Sequence, residues 1–342
     1  MAHSRIVHVR TGLVALAALV LALLATPTWT SRGYAAHARA KSSAKHVTIG
    51  LVAVNLNSPS ITRIKDAFVK AARARGWTVN VFDGRGDQVA TNNAAITYIQ
   101  RHVNAIVNDA SPNAQMTGVI KRAHQAHIPF VSIYGGFIPG VDMEVGTNEF
   151  VNASLITSEM VARLGDRGRV VKENWTVLQA LRDRDHAFHA VLSDEKGITI
   201  AKEIEIKVPG QVDDAYNQTV NVLRSDRNVD AIWIGWDELA PPVVRAIEAV
   251  HYAHKIFVVG FDGNPFAWDL IRSGSPYIME PANPFEPMGT KAVGIMAQLL
   301  AGKQFAVHEV FMRPCLITRQ TVPAHGQFPN WNTCPFFTAE TG

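Results

Sequence analysis

The sequence predicts an α/β fold of two similar lobes, each a parallel sheet covered by helices, with a ligand cleft between them. Three observations carry this. Short apolar runs alternate with stretches of helical periodicity across residues 46–147, and that alternation implies parallel strands with helices on both faces. After a break at Gly146-Thr147-Asn148 the alternation begins again. The chain has 342 residues, 47% hydrophobic and 18% charged, which is ordinary globular composition with length for two cores. The repeat is one of architecture, without periodicity in the residues themselves.

The chain opens with Arg5, His8 and Arg10, followed by an apolar run over residues 11–25 that is short for a membrane span. Ala36-His37-Ala38 and Ala38-Arg39-Ala40 fit small-x-small cleavage signals. Residues 1–40 are therefore expected to be a signal peptide and cleavage region, cut near Ala38 or Ala40; an uncleaved anchor is the alternative. The segment lacks cysteine, which excludes lipid attachment there. The expected destination is the periplasm, with secretion as the alternative. Cys315 and Cys334 are the two cysteines, and an even pair in an exported chain suggests a disulfide tying down the tail. The net charge is +4 with scattered basic residues, which leaves no nucleic-acid footprint. Two cysteines alone do not make a metal site, and His251 and His254 lack a further ligand. Gly84-Arg85-Gly86 lacks the full pattern of a phosphate loop. Neither metal nor cofactor is expected.

In order, strands are expected at residues 46–54, 77–82, 105–107 and 128–133, with helices at 61–75, 89–101 and 114–127 between them. The second round gives helices at 150–164, 183–193, 215–224 and 242–250, and strands at 170–174, 198–206, 231–234 and 256–260. A helix through Trp268 and Ile271 follows. Residues 276–287 carry four prolines, which places them on a crossover or rim rather than in a central strand. A helix over 288–301 and a strand over 310–312 complete the reading. Right-handed crossovers bring all strand-end loops to one edge, where open α/β sheets bind ligands. The run Val258-Val259-Gly260-Phe261-Asp262-Gly263 is a buried strand stopping at such an edge. A ring beside a carboxylate suits a sugar or polyol, whose C–H face stacks while its hydroxyls donate. The plainer reading makes Phe261 core and Asp262 a helix cap. Trp233, inside a strand, is expected to be core.

Ile49-Gly50-Leu51-Val52 with Leu56-Asn57-Ser58-Pro59, then Gly76-Trp77, Asp83, His127-Ile128-Pro129-Phe130-Val131, Arg182-Asp183-Arg184, Phe188, Asp237-Glu238 and the run from Val258 to Gly263 occur in a telling order and spacing. Over residues 46–321 the chain resembles the type I periplasmic binding proteins, in the ribose-binding branch that serves ABC transporters. The resemblance implies two Rossmann-like lobes joined by a three-crossover hinge, here near Thr147, Asn283 and Arg313. It implies a first lobe of residues 46–147 plus 284–312, and a second of 148–283 plus 313–342 with the tail.

It further implies a cleft built from Ser58, Ser60, Ile61, Asp109, Tyr134 and Thr147, and from Trp175, Arg184, Gln211, Trp236, Phe261, Asp262 and Asn283. Arg184 resembles the family's clamping arginine, whose planar fork can hold two ligand oxygens; on its own it reads as a surface salt bridge with Asp183 or Asp185. Asp109 can equally be read as a helix cap. The expected partners are a small sugar or polyol and an inner-membrane ABC permease, for a monomer without enzymatic activity. Three departures make ribose a poor match: Ser60 and Ile61 replace two aromatics, Tyr134-Gly135 replaces Asp-Arg, and Trp236 replaces an amide. With Trp175, these favour a deoxy sugar, a cyclitol, a glycoside or another ligand with a larger apolar face. A receptor that reports to a chemoreceptor or sensor kinase is the alternative function, as is a binder of a non-sugar small molecule.

Overall fold

A computed structural model describes residues 46–252 and 255–335. The expected signal peptide and His254 lie outside the described residues.

Two six-stranded sheets organise the described residues. The first contains β1 (Thr48–Ala53), β2 (Thr78–Asp83), β3 (Ala105–Asp109), β4 (Phe130–Ile133), β5 (Met143–Gly146) and β11 (Glu309–Phe311), in the order β11-β5-β4-β3-β1-β2. All its pairings are parallel. The second contains β6 (Gly168–Asn174), β7 (Ile198–Glu205), β8 (Ala231–Ile234), β9 (Phe257–Val259), β10 (Tyr277–Ala282) and β12 (Cys315–Thr318), in the order β12-β10-β9-β8-β6-β7. Only β12 runs antiparallel to its neighbour.

Helices α1 (Pro59–Ala74), α2 (Gln88–Gln100), α3 (Thr117–Gln125) and α9 (Phe285–Leu300) cover the first sheet. Helices α4 (Glu149–Leu164), α5 (Gln179–Leu192), α6 (Gln211–Ser225), α7 (Ala240–Ala249) and α8 (Pro265–Ser273) cover the second. The residues explain the elements. In α1, Ser60, Ile64, Phe68 and Ala72 recur at four-residue steps and make one buried face; Pro59 starts the helix where its missing N–H costs nothing. The Asn148 side chain accepts from Val151 N and caps α4, and Gly165 ends that helix at φ 64°, a left-handed turn that glycine adopts freely. Each sheet is packed on both faces: in β8, Ile232 and Ile234 enter one cluster while Ala231 and Trp233 enter the other.

Among the described residues the chain passes between sheets three times, at residues 147–148, 283–284 and 312–314. The crossovers lie side by side, because β5, β10, β11 and β12 occupy neighbouring edge positions of their sheets.

Four expectations need correction. β10 is a paired strand between β9 and β12 despite Pro281. The ladder with β9 stops at Val259, so Pro281 sits past its end, where its carbonyl accepts from Asp262 N at 3.1 Å. β5 and β12, four residues each, were not foreseen; runs this short carry little periodicity. The expected helix at 114–127 opens instead as a separate 3₁₀ turn over Asn113–Gln115, followed by α3. Helix α5 starts four residues early, at Gln179.

Cys315 and Cys334 form a disulfide, with Cα atoms 5.6 Å apart.

Candidate ligand-binding site

The site grows from one buried cation. Arg184 lies in α5 and is 1% exposed. Its Nε donates to Glu149 Oε2 at 2.6 Å, its Nη1 to the Gly235 carbonyl at 2.6 Å, and its Nη2 to Asp262 Oδ1 at 2.8 Å. The guanidinium rests on the Phe261 ring, 4.7 Å from the centroid. A guanidinium has five N–H bonds; among the described residues three donate to protein, which leaves two.

Residues at the first two crossovers hold these carboxylates. The Tyr134 hydroxyl donates to Glu149 Oε1 at 2.6 Å and lies 2.5 Å from Thr147 Oγ1. Thr147 also donates to Glu149. Asn283 Nδ2 reaches Glu149 Oε1 and Asp262 Oδ1, both at 3.3 Å. Burial pushes the Asp262 carboxyl above its usual range, against the pull of Arg184, and Glu149 adds to the rise. Burial also lifts the Tyr134 phenol, with Glu149 adding to it. Tyr134 (φ 60°) and Asp262 (φ 100°) both adopt left-handed backbone. Non-glycine residues there cost about 1–3 kcal/mol each, and such strain clusters at functional sites.

Between the lobes lies a cavity of about 140 Å³. Its polar lining falls into two groups, Arg184 with Asp262 and Ser58 with Gln211 and Glu238; Asn55 and Ser60 add to these. Tyr134, Trp175, Trp236 and Phe285 supply rings, and Val54, Ile61, Ile64, Leu178, Leu181 and Val208 supply aliphatic wall. The lobes are tied across the cleft. Ser58 Oγ donates to Glu238 Oε1 at 2.6 Å, and Asn264 Nδ2 donates to Ser60 Oγ at 2.9 Å. Gln211 Nε2 holds the other Glu238 oxygen at 3.0 Å. Burial raises the Glu238 pKa, although both hydrogen bonds oppose the rise.

Nine of the thirteen expected residues line this cavity: Ser58, Ser60, Ile61, Tyr134, Trp175, Arg184, Gln211, Trp236 and Asp262. Four do not. Thr147 and Asn283 stand behind the wall and orient Glu149 and Asp262. Phe261 is fully buried beneath Arg184, with its ring 5.1 Å from that of Trp233. Asp109 is fully buried at the end of β3, with no hydrogen-bond partner for either carboxylate oxygen among the described residues. Burial pushes its pKa well up, and Lys65 is the opposing charge. Its neighbour Ala110 lines the cavity in its place.

Glu149, Glu238 and Phe285 were missed. Glu149 reads in sequence as a first-turn helix acid, favoured by the helix dipole whatever its contacts. Phe285 fell in the segment set aside as a proline-rich rim. Glu238 belongs to the Asp237-Glu238 pair that helps carry the resemblance and lies two residues after Trp236, which was a usable signal.

One group has metal-like spacing among the described residues, Asp185, His189 and Glu203. Lys172 already serves it: Nζ pairs with Asp185, lies 2.5 Å from Glu203 Oε2 and 3.1 Å from His189 Nε2. An ammonium takes the place a metal would need.

The periplasmic binding protein domain family matches residues 49–304. The chain belongs to this family. Among periplasmic binding proteins it is 24% identical over 267 residues to the ribose import binding protein of Haemophilus influenzae, covering 77% of this chain and 89% of that one. It shares its fold with an ABC transporter solute-binding protein from Agrobacterium vitis solved with bound allitol, at TM-score 0.76 and 22% identity, over 81% of this chain and 97% of that one. A solute-binding protein from Mycobacterium smegmatis solved with bound glycerol gives TM-score 0.76 and 22% identity, over 83% of this chain and 98% of that one.

Proposed function

We propose that the protein is a periplasmic solute-binding protein that captures a small polyhydroxylated ligand with an apolar face and hands it to an inner-membrane ABC permease. It acts as a monomer and leaves the ligand chemically unchanged. The observation that carries this reading is the cavity itself. It lies between two lobes, and its polar groups form two clusters separated by rings and aliphatic wall. Arg184 and Asp262 together offer both donors and an acceptor, which suits a vicinal pair of hydroxyls. Tyr134, Trp175, Trp236 and Phe285 suit the C–H face of a ring.

At about 140 Å³ the cavity is well below the roughly 300–1,000 Å³ of drug-sized pockets, which favours a small solute. The bound allitol and glycerol of similar proteins support a polyol or sugar, and the aromatic replacements argue against ribose itself. A cyclitol, a deoxy sugar or a small glycoside fits best.

Native mass spectrometry of protein purified without dialysis tests this. A single added mass matching a polyol, cyclitol or sugar is the expected result. An added mass of another chemical class would overturn the sugar reading, and conversion of the retained compound on incubation would overturn binding without turnover.

A further inference from the structure

The family match ends at residue 304, and the segment after β12 makes contacts that bear on lobe closure. The disulfide joins Cys315, in β12 of the second sheet, to Cys334, nineteen residues on. The loop between them is fastened to the second lobe. Arg272 of α8 donates to the Pro323 carbonyl at 2.7 Å, His325 Nδ1 lies 3.1 Å from Asp269 Oδ1, and Leu316 N donates to the Pro335 carbonyl at 2.8 Å. The Phe328 ring meets that of Trp268 in α8 edge to face, at 5.7 Å.

Phe328 also reaches the other lobe. Its ring covers the guanidinium of Arg63, 5.0 Å from the centroid, and Arg63 belongs to α1. The same guanidinium also lies 5.1 Å from the ring centroid of Phe285, a ring of the cavity wall. Arg63 grips Glu286 through Nε at 2.7 Å and Nη2 at 3.0 Å. Its Nη1 crosses the cleft to the Gly263 carbonyl at 2.8 Å and Asn264 Oδ1 at 3.1 Å, directly beside Asp262. The lobes cannot part without breaking these two bonds and pulling Arg63 from under Phe328.

We propose that the disulfide-closed tail loop is a clamp on the closed lobes, with Phe328 holding Arg63 in its cross-cleft position. Arg63 is the latch, and Phe328 is a positioning residue that acts through it. The disulfide matters because it keeps a half-exposed ring in place; without it the loop pays its ordering entropy afresh. The guanidinium gains from cation–π attraction to two rings, Phe285 and Phe328.

The test needs no ligand, so it stands apart from the proposal on solute class. Hydrogen–deuterium exchange and small-angle scattering would be recorded on the full chain in three states: oxidised, reduced with a phosphine, and as the variant Phe328→Ala. The expected result is roughly three- to fivefold faster exchange in residues 58–64 and 262–264, the scale of one partly exposed cation–π contact, with a larger radius of gyration. It should appear in both the reduced protein and Phe328→Ala, with exchange in β1 and β8 unchanged. Phe328→Tyr should behave as the parent. Unchanged exchange at those segments in either perturbed state would overturn the clamp. A rise that extends equally into β1 and β8 would also overturn it, because the tail would then be supporting the fold rather than closure.

Discussion

Arg184 Nη2 lies 2.8 Å from Asp262 Oδ1, although the two residues are 78 positions apart. The bond joins the second turn of α5 to the loop after β9, and both partners are buried. With Glu149 on the same guanidinium, the cluster holds one cation between two carboxylates. Removing the cation leaves two buried acids facing each other. Arg184→Met should therefore lower unfolding stability by about 3–5 kcal/mol. Urea denaturation followed by tryptophan fluorescence measures it, and a loss below about 1 kcal/mol would mean that the cluster is not held by its central charge.

Asp262 can be removed at less risk to the fold, because Arg184 keeps Glu149 and the Gly235 carbonyl. Asp262→Ala should weaken binding of the co-purified ligand by on the order of 2 kcal/mol, since ligand hydroxyls lose a charged acceptor in a closed site. Calorimetric titration gives the number. An unchanged affinity would take Asp262 out of the ligand's reach.

Glu173 predicts a pH effect. It is fully buried, Thr219 donates to its Oε1 at 2.6 Å, and Oε2 has no partner among the described residues. Burial raises its pKa to about 8, against about 4.3 for a free glutamate. Between those values the unfolded chain has released a proton that the folded chain keeps, so stability falls as pH rises through that window. Glu173→Gln keeps the shape and removes the titration. Its melting temperature should exceed the parent's at pH 8.5, by several degrees, and match it near pH 4.5. Parallel curves at the two pH values would rule out Glu173 as the titrating group.

Gly260 is required by close approach. A Cβ there would stand 2.6 Å from the Tyr277 hydroxyl and 2.7 Å from Ile234 Cγ1. The Tyr277 hydroxyl is committed, donating to Glu280 Oε2 at 2.8 Å. Gly260→Ala should cost about 1–3 kcal/mol by overpacking, measured by thermal denaturation. A parent-like melting temperature would show that Tyr277 can move aside freely.

The lobes were legible because their strands are continuous apolar runs separated by helical periods, a signal that needs no long-range knowledge. β5, β10 and β12 were missed or misread for the opposite reason: they are short or carry proline, and they exist because partners distant in sequence pair with them. Strand ends pointed to the edge where the cavity lies, yet the pattern gives an edge and not a facing. Asp109 lies at the right edge, but Ala110 faces the cavity. Glu149 was out of reach for a similar reason. Its role depends on Arg184, which is 35 positions away, and nothing near Glu149 in the chain announces that pairing.

The crossover at residues 312–314 has a consequence for how the protein is made. β11 completes the first sheet and β12 the second, and both come from residues 309–318. A nascent chain of 300 residues would hold nearly all of both cores and still leave the β5 and β10 edges without their final strands. Neither six-stranded sheet is complete without residues 309–318, so one short segment finishes both lobes.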